Sequence, residues 1–276
     1  MTLFTETRGT GRPIVCLAPF GVDRSMMVAA LEPVYETCAG WQRIYLDLPG
    51  RGRSPCGPPD SDGIVDALIG HLDQQLGATA RPMLVGWSYG GYLAAALLRL
   101  APDRFGGALL ICHGVHSASA ERRLPPPRTA PDPTGWLDKV PEGYREHLAT
   151  ALGNRRHEVA ERVAAALVAA ENADEEYLTR LRTTGYRVSD EDAAPVYQGP
   201  VCVVTGRGDL VAGYHDQFDA MAAYPNGSFT VLAEAGHYLP FEQPAAFRGL
   251  AREWLSRCGG GAGTVATARE RRRWPA

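Results

Sequence analysis

Short apolar runs alternate along this chain with longer stretches in which apolar residues recur every three or four positions. Residues 14–17 (Ile-Val-Cys-Leu), 43–46, 83–85, 108–112, 201–204 and 229–232 read as buried strands. Between them, Ile64, Val65, Leu68, Ile69, Leu72 and Leu76 fall on one helical face. Residues 92–100, 214–224 and 244–255 read as further helices. Strands alternating with helices predict an α/β fold, a mostly parallel open sheet flanked by helices.

The rhythm changes between the strand ending near Cys112 and the one starting near Val201. A proline-rich loop over 124–133 leads into alanine-rich helical sequence over 159–167 and 177–181. An insertion there sits over the carboxyl ends of the strands, where open sheets bind ligands. The plain reading is extra core. The favoured one is a helical cap that shapes a pocket and excludes water. The expected organisation is therefore a core of residues 1–114 and 196–258, a cap over 115–195 and a glycine-rich, flexible tail over 259–276, with the basic Arg269, Arg271, Arg272 and Arg273 solvated.

The chemistry concentrates at Gly86-Trp87-Ser88-Tyr89-Gly90-Gly91, between a strand and a helix. A Gly-x-Ser-x-Gly in that context predicts a turn so tight that only glycines fit two residues either side. It exposes the serine hydroxyl above the sheet at a helix N-terminus. A nucleophilic serine needs a base, and the base needs an acid that fixes its tautomer. Of the seven histidines, His237 lies in a loop between the last strand and the last helix, within reach of the serine. His71, His147 and His157 fall on helices and suit solvated or structural roles, whereas His113 and His116 follow a strand end and could line a pocket. Asp209 follows the 201–204 strand, again at a carboxyl end. It could instead only cap the next helix, in which Asp216 and Asp219 read as solvated.

With these residues in the order Ser88, Asp209, His237, the chain resembles the alpha/beta-hydrolase superfamily over residues 2–257. Asp47-Leu48-Pro49-Gly50-Arg51-Gly52-Arg53-Ser54 is similar to the Asp-x-Pro-Gly-x-Gly-x-Ser loop of esterase-like members, with arginines free to tie loops together. Where members usually carry His-Gly after the first core strand, this chain has Ala18-Pro19. The resemblance then implies Phe20, or with a shift of one residue Gly21, as one backbone oxyanion donor, and Tyr89 as the other. Pro19 has no N–H to offer.

The resemblance implies a serine esterase acting on a small to medium, largely apolar carboxylic ester through an acyl-enzyme on Ser88. The Gly-Trp-Ser-x-Gly-Gly elbow is similar to that of carrier-protein methyl esterases of biotin synthesis. Type II thioesterases share a proline near the oxyanion strand, which keeps an acyl thioesterase open. Proline iminopeptidases share a helical cap, with cap carboxylates that bind a free amine; Glu171, Asp174, Glu175 and Glu176 are the candidates here. A non-hydrolytic cyclase or a ligand-binding member of the fold is the remaining alternative.

Composition narrows the rest. A net charge of −3 with 45% hydrophobic and 21% charged residues gives no reason to expect nucleic acid. No stretch is apolar enough for a membrane span, and the first residues lack a secretion signal, so a cytoplasmic protein is expected. Six scattered cysteines give neither a disulfide framework nor zinc spacing, and the glycines of the elbow match no phosphate-binding fingerprint. No metal and no cofactor are expected.

Overall fold

A computed structural model describes residues 1–127, 131–193 and 195–259. In chain order, β1 (Thr5–Arg8) and β2 (Arg12–Leu17) precede α1 (Ser25–Tyr35), β3 (Trp41–Leu46) and α2 (Ser61–Leu76). Next come β4 (Met83–Trp87), α3 (Tyr89–Leu100) and β5 (Ala108–Ile111). The segment after β5 holds α4 (Glu142–Ala151), α5 (His157–Ala170) and α6 (Glu175–Thr184). The chain closes with β6 (Val201–Gly206), α7 (His215–Asp219), β7 (Gly227–Leu232), α8 (Leu239–Glu242) and α9 (Pro244–Gly259).

The strands form one sheet in the order β1-β3-β2-β4-β5-β6-β7, parallel throughout except for β1, which runs antiparallel to β3. β2, β4 and β5 are almost wholly buried because helices cover both faces, which is why they read as uniform apolar runs. From β2 the chain moves outward to β3, then returns to place β4 on the other side of β2. Strand order therefore reverses between β2 and β4, and a crevice opens at their carboxyl ends. Phe20 follows β2 and Ser88 follows β4, so both lie at that point.

Two apolar clusters, one on each face, make the core. The inserted helices share in both. Val163 and Leu167 of α5 join the cluster containing Met26, Met27 and Leu31 of α1, and Tyr177, Leu178 and Leu181 of α6 join the other. The segment between β5 and β6 thus adds core.

Several elements differ from expectation. Neither β1 nor α1 is evident from periodicity, and the helix expected over 214–224 divides into α7 and a 3-10 turn, Ala220–Ala223. The tail expected over 259–276 lies outside the described residues, except for Gly259 at the end of α9. None of the described helices is long and apolar enough to cross a membrane.

Candidate active site

Ser88 sits between β4 and α3 with φ 55° and ψ −118°, a left-handed conformation that costs a non-glycine residue about 1–3 kcal/mol unless its surroundings enforce it. The surroundings do so. A Cβ on Gly90 would collide with the Leu17 carbonyl of β2, and one on Gly86 with the backbone of Gly90. The two glycines let helix, turn and neighbouring strand close on one another. Gly90→Ala is expected to lose about 1–3 kcal/mol of stability or more, because backbone rather than a flexible side chain must yield. Denaturant unfolding would measure it.

His237 is brought to the serine from the loop between β7 and α8, with Nε2 2.9 Å from Ser88 Oγ. Its Nδ1 lies 3.0 and 3.2 Å from the two carboxylate oxygens of fully buried Asp209. A proton on Nδ1 would bond the carboxylate and leave the Nε2 lone pair facing the serine hydroxyl. Asp209 also accepts the Val211 and Ala212 N–H groups at 2.9 Å each, so it caps a turn and meets the imidazole at once. Tyr89, first residue of α3, has an N–H with no carbonyl to bond inside the helix. The Phe20 N–H takes part in no hydrogen bond among the described residues, and Gly21 beside it has φ 83°. Such a set can pass a proton from hydroxyl to imidazole and present N–H groups to a developing oxyanion.

Comparison with known proteins places the chain in a family. Residues 14–250 match the profile described as the alpha/beta hydrolase family. The chain belongs to that family. A pimeloyl-[acyl-carrier protein] methyl ester esterase of Shewanella woodyi is 33% identical over 110 residues, which is 40% of this chain and 39% of that protein. The matched stretch thus spans about two fifths of that relative's length. An alpha/beta superfamily hydrolase from Oenococcus oeni PSU-1 superposes with a TM-score of 0.80 at 25% identity, covering 94% of this chain and all of the other. A thermophilic esterase from Thermogutta terrifontis gives 0.69 at 27% identity, with 93% of each chain covered.

A cavity of about 1060 Å³ opens onto Ser88 and His237, with Phe20 and Tyr89 on the core side. The segment between β5 and β6 supplies the facing wall, including Tyr144, His147, Leu167 and Arg182. His147, exposed on α4, fits the solvated or structural role expected of it. Its Nε2 is 2.7 Å from the Tyr238 hydroxyl, and partial burial together with nearby His237 pushes its pKa down. His116 lines the cavity, but His113 is buried behind α3, and burial lowers its pKa to about 4. His71 is buried too, beside the Leu3 N–H. Asp216 is buried and paired with Arg123, while exposed Asp219 also pairs with that arginine. Of the four acids singled out in the insertion, Glu171 lines the cavity and meets the Tyr144 hydroxyl, whereas Asp174 caps α6.

Among the described residues, two groups bring potential metal ligands together: Cys112, Asp209 and His237, and His116, Glu121 and Glu191. Burial and the Asp209 carboxylate push the Cys112 thiol well above its usual range, so it stays protonated, and Asp209 and His237 already bond each other. Glu191 is engaged by the Tyr92 hydroxyl, the Ser117 N–H and Arg187.

Sequence reasoning missed Glu242. Buried on α8, it accepts the Gly236 and Tyr238 N–H groups on one oxygen, at 2.8 and 3.0 Å. On the other it accepts those of Gly153 and Asn154, at 2.8 Å each. One carboxylate thus grips the chain on both sides of His237 and ties it to the turn between α4 and α5. Trp87, fully buried, adds a bond from Nε1 to the His237 carbonyl at 2.9 Å. A glutamine at 242 would turn an NH2 group towards N–H donors, so Glu242→Gln is expected to cost about 1–3 kcal/mol near neutral pH. Burial raises the Glu242 pKa to about 7. Between its usual value and about 7 the folded chain holds a proton that the unfolded chain has released, so this group's contribution to stability declines as pH rises through that window. Unfolding curves of both proteins across the window should show that slope in the parent and its loss in Glu242→Gln.

Proposed function

We propose that this alpha/beta hydrolase is a serine esterase that cleaves a small to medium, largely apolar carboxylic ester through an acyl-enzyme on Ser88. The observation that carries this reading is the line of contacts from Ser88 through His237 to Asp209, at 2.9 and 3.0 Å, starting from a serine held at φ 55°. Ser88 Oγ attacks the ester carbonyl while His237 Nε2 takes its proton, and Asp209 stabilises the imidazolium. The Phe20 and Tyr89 N–H groups receive the oxyanion. His237 then protonates the departing alcohol, and a water that it activates hydrolyses the acyl-enzyme, releasing the acid. Residues 115–195 act as the cap, walling the cavity so that acyl attack competes with little bulk water.

The methyl ester esterase of Shewanella woodyi and the Thermogutta terrifontis esterase lend support to ester chemistry. An acyl thioester would react through the same atoms and is the second reading. An amine-selecting peptidase is less well supported, because Glu171 is already engaged by Tyr144. All six cysteines are unpaired, which suits a reducing cytoplasm. A panel of p-nitrophenyl esters, acyl thioesters and aminoacyl-naphthylamides separates these readings. Ester turnover should dominate; rapid release of naphthylamine with no ester turnover would overturn the proposal.

A further inference from the structure

The cavity wall around Tyr186 gathers positive charge without acids to match it. Arg187 is neutralised there by Glu191 and Asp192, at 2.9 and 2.5 Å. The other three guanidiniums have no carboxylate partner among the described residues. Arg122 gives its donors to the carbonyls of His116, Ser117 and Val211 at 2.9–3.0 Å. Arg182, exposed to the cavity from the last turn of α6, makes no side-chain hydrogen bond among the described residues and lies with its guanidinium carbon 4.6 Å from the centre of the Phe20 ring. Arg51, expected from sequence to be free to tie loops together, is instead 1% exposed and stacks on Phe20 and Tyr89 at 4.9 and 5.6 Å. Its Nη1 donates to the Pro49 carbonyl, while Nε and Nη2 meet no acceptor among the described residues.

A buried cation without an anion is costly, and the cost falls if a ligand brings the anion. Burial pulls the Arg51 pKa down, and Arg122, Arg51 and Arg182 each oppose the rise that burial imposes on the Tyr186 hydroxyl. Arg122, Arg182 and Tyr186 line the same cavity, and Arg51 and Arg182 both stack on Phe20, whose ring centre lies 5.5 Å from that of Tyr186. The chain as a whole carries a net charge of −3, so this local excess is not a general bias of composition. Glu171 is the one acid on the cavity lining among the described residues, and it is held by Tyr144. Between this wall and Ser88 lies an aromatic floor of Phe20, Tyr89, Tyr92 and Tyr186, with ring centres 4.8–6.2 Å apart.

We propose that this wall is an anion-binding subsite, and that the substrate carries a carboxylate or phosphate group, separated from the ester by an apolar linker, which docks against Arg182 and Arg122 beside Tyr186. Phe20, Tyr89 and Tyr186 pack the linker, and Arg51 supplies charge from behind the rings. The ester half of this statement rests on the hydrolase reading; the anion half does not.

The test measures binding without turnover. Ser88→Ala protein is titrated by calorimetry with monomethyl esters of saturated dicarboxylic acids of graded length, with their terminal-phosphate counterparts and with neutral methyl alkanoates. At least one anionic series should bind about tenfold more tightly than the neutral esters, as a charge-assisted contact supplies. Added salt should shrink the preference. Arg182→Gln should bring the ratio towards one and Arg182→Lys should keep part of it. The tighter anionic series names the source of the charge. Equal binding of neutral and anionic ligands, no binding of any anionic ligand at millimolar concentration, or an unchanged ratio in Arg182→Gln would each overturn the proposal. Because Ser88→Ala does not turn over, failure of the hydrolase reading would appear elsewhere, as a parent protein that no serine-directed probe labels.

Discussion

Ser88→Ala is expected to lower ester turnover by about a million-fold while unfolding at the same denaturant concentration as the parent. The hydroxyl is the only atom removed. Its partner, His237, stays bonded through Nδ1 to Asp209, and the backbone at φ 55° is held by the packing of Gly90 against β2 rather than by the side chain. Under the proposed mechanism, residual activity would come from water attacking an ester carbonyl whose oxyanion the Phe20 and Tyr89 N–H groups receive. Steady-state hydrolysis of a p-nitrophenyl ester, paired with an unfolding curve, checks both halves.

Asp209→Asn is expected to cost about four orders of magnitude in turnover. The reason is specific to this site. Oδ1 of Asp209 receives the Val211 and Ala212 N–H groups as well as facing His237. An asparagine must keep its carbonyl on those two donors, which turns its NH2 group towards Nδ1. That donor forces Nδ1 to accept, places the imidazole proton on Nε2 and leaves no lone pair for the Ser88 hydroxyl. The turn stays capped, so stability should change little. A pH–rate profile and an unfolding curve of the variant would check this; near-parent kinetics would assign the acid role to another group.

Much of the fold and the core of the site are legible in sequence for one physical reason. Strands buried on both faces are apolar at successive positions, and the loops at their carboxyl ends carry Ser88, Asp209 and His237 in full view. β1 is hidden because an antiparallel edge strand, Thr5-Glu6-Thr7-Arg8, needs no apolar face. α1 has apolar residues at Met26, Met27, Ala30, Leu31 and Val34. It lacks a side-chain cap and carries Pro33 inside, so its start and stop signals are misleading. The supporting layer is invisible for a different reason. Glu242 acts on Gly153 and Asn154 almost ninety positions away, and Arg51 stacks on rings supplied by the loop after β2 and the first residue of α3. Such partners follow from the closed fold and leave no local pattern. The contact of His147 with the Tyr238 hydroxyl, ninety-one positions away, leaves no local pattern either.

The most direct measurement is covalent. The parent protein is treated with a fluorophosphonate, digested and mapped by mass spectrometry, alongside folded Ser88→Ala and Asp209→Asn. The phosphonyl mass should appear on Ser88 in the parent, vanish in Ser88→Ala and form far more slowly in Asp209→Asn. A folded parent protein that turns over esters yet carries the label on another residue, or none, would contradict the assignment of Ser88 as the nucleophile.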